Sequence, residues 1–474
     1  MPWLDEVMFS SVAHSLRTTG HFVCEVLPNR LHGQEVLFYG PNFFFLASLF
    51  ERFFGFGIVQ YRLVSLLSGF VMIFVALRFF KAFSRGGDFA VLLCLLMLLF
   101  EPGVFSSMHG GRMDLMATCW MLGASYFFLR SENKQQPLSR MFDLGLTAIF
   151  GAMGVLTTPR SGFLLLSIAI LMVLRLVKRR DLQTVREVLI STLIFSVPFL
   201  IWFLYAFGSL AKLTAVLGAA HSSDRFIGGN FLLGYRVSNY LPAQLALMAA
   251  FLLCLGLTLF GEPRKILTKP VLLAILNVFA FYILVFEVGV YYIYIIPFCL
   301  FFIVEVSVYY KARFSSLWSY LVPGFLLLIG IGFFLVKMDK LIAEWDQRSP
   351  NKINAFVSSK VPASSVVIGD ARYYYAVKLG ASDFRLTEGP SGLVLQCDQL
   401  GETKKTIYVL VPAKQIFQSA SIYNSLVANG YLEEKGRLSS DKKQSLISLK
   451  GAERVTDSYD CILYLYHSQK NKTE

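Results

Sequence analysis

The chain has 474 residues, 55% of them hydrophobic and only 16% charged, with 44 Phe and 22 Tyr. A soluble domain carries nearer a quarter charged residues, so this balance argues against a water-soluble globular protein and for a polytopic membrane protein. The formal charge of +13 does not point to nucleic acid, because most Lys and Arg fall in short loops between apolar runs, as cytoplasmic loops do.

Taken in order, residues 1–60 read as an outer-face segment with interfacial helices, 61–337 as a multi-span transmembrane domain, and 338–474 as a soluble α/β domain. An acidic pair, Asp5 and Glu6, stands in front of an amphipathic run over 7–20, whose apolar positions include Val7, Phe9, Val12, Ala13 and Leu16. His14 and Arg17 interrupt that run, which predicts an interfacial helix rather than a span. Residues 21–40 are irregular, with Pro28, Gly33 and Gly40-Pro41 as breakers. Residues 43–57 are apolar but too short to cross a bilayer and carry Glu51 and Arg52, so a short packed or interfacial helix is expected there.

Ten runs follow that can cross a bilayer, at roughly 61–81, 88–104, 114–130, 141–157, 161–176, 187–207, 241–260, 270–287, 291–310 and 317–337. One alternate set of loops holds Arg78, Lys81 and Arg85, then Arg130, Lys134 and Arg140, then Arg175, Lys178, Arg179, Arg180 and Arg186. It continues with Arg264, Lys265 and Lys269, then Lys311 and Arg313. The opposite set holds only Arg112, Arg160, Lys212, Arg225 and Arg236. By the positive-inside rule the first set is cytoplasmic. The N-terminal segment, the loops near 105–113 and 158–160, the loop 208–240 and the tail after 338 then face outward. With Met1 outside, a span ahead of it is expected to carry the segment across, direct translocation of a short N-tail being the less economical alternative.

The tail changes character. Residues 366–370, 406–412 and 459–467 read as buried strands, and 414–429 as a helix ending at Gly430. The turn at Gly369-Asp370 lacks G-x-G-x-x-G and gives no nucleotide site. The seven cysteines form no metal-ligand spacing; Cys94, Cys119, Cys254 and Cys299 lie in apolar runs, while a bridge between Cys397 and Cys461 in an exported tail is left open.

Ionisable residues near membrane-embedded structure are costly and face a cavity or a partner. On the outward side they are few: Asp5, Glu6, His109, Arg112, Asp114, Arg160, and in the long loop His221, Asp224 and Arg225. A carboxylate can take a proton from an acceptor hydroxyl or amine, or hold a metal. Arginines can hold the phosphate of a leaving group as it gains charge. Each residue also has a plain structural reading. Asp114 opens a span and suits the helix dipole, Arg112 and Arg160 suit interfacial anchoring, the histidines suit ordinary loops, and Asp5-Glu6 suits a cap. Their occurrence on one face is what favours chemistry.

The succession LDEVMFSSVAHSLRTTG, FYGPNFFFLASLFERFFGFGIVQYRLVSLLSG, GRMDLMATCWML, TTPRSG and YYIYIIPF resembles the GT-C class of integral-membrane glycosyltransferases over about residues 1–310. The branch is that of dolichyl-phosphate-mannose protein mannosyltransferases and the bacterial lipid A aminoarabinose transferase. The resemblance implies an α-helical polytopic, GT-C-like membrane fold of about ten spans, the family's first span missing, with a small extracytoplasmic α/β domain. It also implies a multi-pass protein of the cytoplasmic (inner) membrane. Implied with it is inverting transfer of a sugar from a polyprenyl-phosphate donor to an acceptor that the sequence does not identify: lipid, glycan or protein. Asp5 matches the first-loop acid, with Glu6 beside it, and Asp114 the second-loop acid. Arg112 and Arg160 are the choices for the donor phosphate, with Arg62 of the Tyr61-Arg62-Leu63 opening and His109 as further substrate-binding candidates. Tyr291 and Tyr292 are placed at the lipid entrance, where interfacial aromatics are equally at home. A divalent metal on Asp5 and Asp114 stays open. Arg160 replaces a Lys found in many members, and Gly40-Pro41 replaces their Pro-Pro. The rival readings are a lipid or glycan transporter or flippase, and a non-catalytic membrane scaffold.

Overall fold

The structure is a computed structural model that describes residues 4–26, 34–37, 39–215, 241–284, 290–314, 317–343, 349–380, 382–387, 393–401, 405–413, 420–439 and 459–467. The chain divides into two compact units: Met1–Val36 with Phe44–Arg62 and Leu335–Glu474, and Leu37–Phe43 with Leu63–Phe334.

Each of the ten apolar runs falls on a helix: Ile58–Phe83, Gly87–Phe100 with Pro102–Met108, Asp114–Glu132, Pro137–Val155, Phe163–Arg179, Leu182–Ala206, Leu241–Phe260, Lys269–Leu284, Ile296–Phe314 and Leu321–Ala343. Among the described residues six helices are long and apolar enough to cross a membrane, and a bent pair would make a seventh. Helix Leu182–Ala206 leaves Leu189, Leu193, Leu200, Ile201 and Leu204 exposed, an apolar surface suited to lipid rather than water.

Two expected spans differ in detail. The run at 88–104 is broken at Glu101, where Gly87–Phe100 and Pro102–Met108 meet at 60°. Glu101 precedes a proline, which disfavours helical backbone, and it takes φ −65°, ψ 122°. Pro102 then starts the second helix, and the Glu101 carboxylate accepts from the Val104 amide at 2.8 Å as its N-cap. The run at 291–310 begins as a 3-10 turn, Val290–Tyr294, and becomes α-helical only from Ile296, with Pro297 in the first turn.

Several cations of the predicted cytoplasmic loops are matched by carboxylates within this unit. Arg175 reaches Glu132 at 2.9 Å and Glu187 at 2.5 Å, Arg140 also binds Glu187 at 2.5 Å, and Lys269 binds Glu132 at 2.5 Å. Glu305, 1% exposed, accepts from the Ser84 hydroxyl at 2.6 Å and from the backbone amide and Nε of Arg85, each at 3.1 Å. Buried charges of this kind are tolerated because each is paired and hydrogen-bonded.

In the other unit the amphipathic run is the helix Leu4–Thr19, and the short apolar stretch is the helix Asn42–Phe54, as expected. Between them lies a two-residue antiparallel pair, β1 (Val23–Cys24) with β2 (Gln34–Glu35), that nothing in the sequence announces. The tail folds as a five-stranded mixed sheet of β3 (Val366–Gly369), β4 (Asp383–Leu386), β5 (Ile407–Pro412), β6 (Leu432–Leu438) and β7 (Cys461–Tyr466), in the order β4-β3-β5-β7-β6. β3 runs parallel to β4 and β5, with Val366 opposite Asp383 and Ile407. β7 runs antiparallel to β5 and β6. Ile368, Leu393, Cys397, Val409 and Ile462 belong to the core, and Cys397 and Cys461 are free buried thiols. Of the expected helix at 414–429, residues 414–419 lie outside the described residues, and Ala420–Ala428 is helical and ends before Gly430, whose φ of +75° is the left-handed conformation a glycine end provides. The N-terminal segment joins this sheet: the Leu386 amide donates to the Val26 carbonyl at 2.9 Å, and Arg385 to that of Glu25 at 2.6 Å.

Candidate active site

The clearest cluster lies in the unit Leu37–Phe43 with Leu63–Phe334. Asp114 is the first residue of helix Asp114–Glu132, where the helix dipole favours a carboxylate. It is 2% exposed, so its charge needs partners. Arg112, itself buried, donates through Nε to Oδ2, and the Tyr294 hydroxyl donates to Oδ1 at 2.6 Å. The backbone carbonyl of Arg112 in turn accepts from the Ser65 hydroxyl at 2.8 Å, which ties down the loop.

Tyr291 brings the second arginine in. Its ring lies 4.2 Å from the Arg160 Cζ and 5.2 Å from the Arg112 Cζ, so one aromatic face system serves two guanidiniums. Arg160 comes from the 3-10 turn Pro159–Gly162, which enters helix Phe163–Arg179. The structure therefore unites Arg112, Asp114, Arg160 and Tyr291. Tyr292 goes elsewhere: it is 2% exposed and its hydroxyl donates to Glu101. His109 is exposed, with Nδ1 2.8 Å from the Phe105 carbonyl. Chemically, the arrangement places two cations and an acid close together, a set suited to an anion that carries a proton-exchanging neighbour.

The other unit holds the first acids. Glu6 is fully buried, and Arg62 grips it with both forks, Nε to Oε1 at 2.7 Å and Nη2 to Oε2 at 2.8 Å. The Asp5 side chain lies outside the described residues, although its backbone belongs to helix Leu4–Thr19. His221, Asp224 and Arg225 also lie outside them. Tyr375 and Tyr459 pack by the Glu6–Arg62 pair; burial first, then the Glu6 charge, raises the Tyr375 phenol well above its ordinary value. A second buried carboxylate, Glu51, accepts from His14 at 2.6 Å and from Arg17 at 2.8 Å.

Among the described residues no group of three or more His, Cys, Asp and Glu is arranged to hold a metal. At Asp114 a guanidinium already takes one oxygen and a phenol the other, which does not fit a divalent ion at that carboxylate.

Sequence reasoning missed Tyr294 and Glu101. Tyr294 belongs to the run YYIYIIPF but is not distinguished within it. Glu101 had a signal: a carboxylate inside a run expected to span.

Residues 39–202 match the model of the dolichyl-phosphate-mannose-protein mannosyltransferase family. The crystal structure of ArnT from Cupriavidus metallidurans in the apo state superimposes with a TM-score of 0.59 at 12% identity, covering 98% of this chain and 94% of that one. The chain has a GT-C, ArnT-like fold. The same protein bound to undecaprenyl phosphate matches equally, with a TM-score of 0.59 at 12% identity over 99% of this chain and 94% of that one. Among curated proteins, none matches. The chain is thus a multi-pass membrane protein with a small mixed-sheet domain at its C-terminal end. At this identity the structural likeness establishes the fold.

Proposed function

We propose that this GT-C protein is a glycosyltransferase that moves a sugar from a polyprenyl-phosphate donor to an acceptor at the outer face of the cytoplasmic membrane. The observation that carries the reading is the buried Arg112–Asp114–Tyr294 contact with Arg160 on the shared Tyr291 ring. The family match over 39–202 and a fold shared with a protein crystallised with undecaprenyl phosphate support it. The C-terminal domain lies outside the membrane in this reading, as the loop charges indicate.

The chemistry is a single displacement with inversion. The acceptor's hydroxyl or amine forms a bond to the anomeric carbon as the bond from that carbon to the phosphate oxygen breaks. The electron pair goes to the departing polyprenyl phosphate. Arg160, with Arg112 behind it, stabilises the charge gained there. Asp5 takes the acceptor's proton, the role the resemblance gives the first-loop acid. Asp114 keeps Arg112 oriented.

The test is binding of undecaprenyl phosphate to the purified full-length chain in lipid nanodiscs. Saturable binding is expected, weakened about tenfold or more in Arg160→Ala, since a charge-assisted contact to phosphate is lost. Absence of saturable binding, or an Arg160→Ala protein that binds as wild type, contradicts the phosphate assignment.

A further inference from the structure

Glu101 stands where the predicted span breaks, and capping explains only half of it. An N-cap needs one acceptor oxygen, and Glu101 uses one on the Val104 amide at 2.8 Å. Its other oxygen accepts from the Tyr292 hydroxyl, 191 positions away in sequence. Both side chains are buried, at 7% and 2% exposure.

The turn that carries Tyr292 explains what the contact does. In a 3-10 helix residues three apart eclipse, and the next residue points about a third of a circle away. Tyr291 and Tyr294 accordingly stack, rings 6.4 Å apart and 3° from parallel. Tyr291 lies against Arg112 and Arg160 while Tyr294 donates to Asp114. Tyr292 leaves on the other side of the turn and reaches Glu101. Short 3-10 turns have poor hydrogen-bond geometry and hold their shape through side-chain contacts. The first turn of helix Pro102–Met108 is shaped around the phenol as well: a Cβ added at Gly103 would lie 2.4 Å from the Tyr292 hydroxyl oxygen.

We propose that Glu101 is a positioning residue that, through the Tyr292 hydroxyl, fixes the turn Val290–Tyr294 and so holds Tyr291 against the two arginines and Tyr294 on Asp114. The inference rests on the reading of that cluster as the donor-phosphate site. The carboxylate acts through the turn that its bond to Tyr292 holds.

The experiment compares wild type, Glu101→Gln, Glu101→Ala, Tyr292→Phe and Gly103→Ala as full-length chains in nanodiscs. It measures hydrogen–deuterium exchange of peptides covering 290–295, affinity for undecaprenyl phosphate, and the thermal midpoint. Gln keeps both contacts, its carbonyl accepting from Val104 and its amide donating to the phenol oxygen, so it should stay near wild type. Glu101→Ala, Tyr292→Phe and Gly103→Ala should speed exchange at 290–295 and weaken binding about five- to tenfold. Tyr292→Phe, which leaves one buried Glu101 oxygen without its donor, should lower the thermal midpoint modestly while the protein still folds. Unchanged exchange at 290–295 in Tyr292→Phe overturns the proposal. Faster exchange with wild-type affinity overturns it too, because the turn then does not serve the phosphate. If wild type itself binds no undecaprenyl phosphate, the functional reading fails, and the exchange result alone decides the anchoring.

Discussion

Arg62 holds both oxygens of a fully buried Glu6, at 2.7 and 2.8 Å. A bidentate guanidinium–carboxylate pair is the geometry in which a buried charge is best compensated, and removing one partner strands the other. Arg62→Ala should therefore destabilise the protein by about 3 kcal/mol, read by thermal unfolding in detergent. Arg62→Lys should recover only part of this, since an ammonium cannot reproduce the fork. Wild-type stability in Arg62→Ala would show that the pair is dispensable.

Both arginines of the other cluster should be needed for activity. Arg112→Ala leaves the buried Asp114 without its cation, so a loss of about 3 kcal/mol in stability is expected along with activity. Arg160→Ala gives up its contact with the Tyr291 ring, worth about 1 kcal/mol, among its interactions. Its sugar-transfer rate should fall about a hundredfold or more, measured in protein that still folds. Transfer at the wild-type rate in Arg160→Ala would contradict its role.

Gly40 is a packing requirement. A Cβ there would come within 1.7 Å of the Leu156 carbonyl oxygen, a backbone atom that cannot swing aside. The next contact fixes the approach: the Asn42 side-chain amide donates to the Met153 carbonyl at 2.7 Å. Gly40→Ala should cost at least about 3 kcal/mol or prevent accumulation of folded protein, measured by fluorescence-detected size exclusion and thermal unfolding. A variant as stable as wild type would mean that the two segments do not meet this closely.

Alkaline pH should loosen the unit that contains the tail. Burial raises Tyr459 from 10.0 to about 12, and Tyr373, Tyr374 and Tyr375 rise well above 10.0 for the same first cause. A phenol whose folded value is raised contributes stability that is complete below its unfolded value and is lost as pH climbs through the folded one. Stability should therefore fall from about pH 10 towards 12. Tyrosinate absorbance should show a late class of phenols that ionises together with unfolding. Free titration of every tyrosine near pH 10, with the fold intact, would contradict the burial.

How much of this was legible in the sequence differs from one element to another. The long helices were visible because each is apolar over its whole length, and length alone then sets the answer. Strands β3, β5 and β7 showed for a related reason, as nearly continuous buried runs. The edge strands did not: β6, LEEKGRL, keeps Leu432 buried but exposes Glu433, Glu434 and Lys435, so its sequence reads as a charged loop. Arg112 and Asp114 could be picked out because they are two residues apart. Glu101 and Tyr294 could not be assigned partners, since Tyr292 and Asp114 lie 191 and 180 positions away and only the register of a 3-10 turn selects which phenol meets which acid. Tyr291 and Tyr292, adjacent in sequence, point in different directions, one to the arginines and one to Glu101.

The most direct measurement of the central claim is transfer itself. Proteoliposomes with the full-length chain would receive a panel of labelled polyprenyl-phosphate sugars and membrane extract as acceptor, with Asp5→Asn and Asp114→Asn in parallel. The account predicts that label leaves the lipid fraction with wild type from at least one donor, and that both variants slow this about a hundredfold or more. Label that stays on every donor lipid, or Asp5→Asn transferring at the wild-type rate, would contradict it.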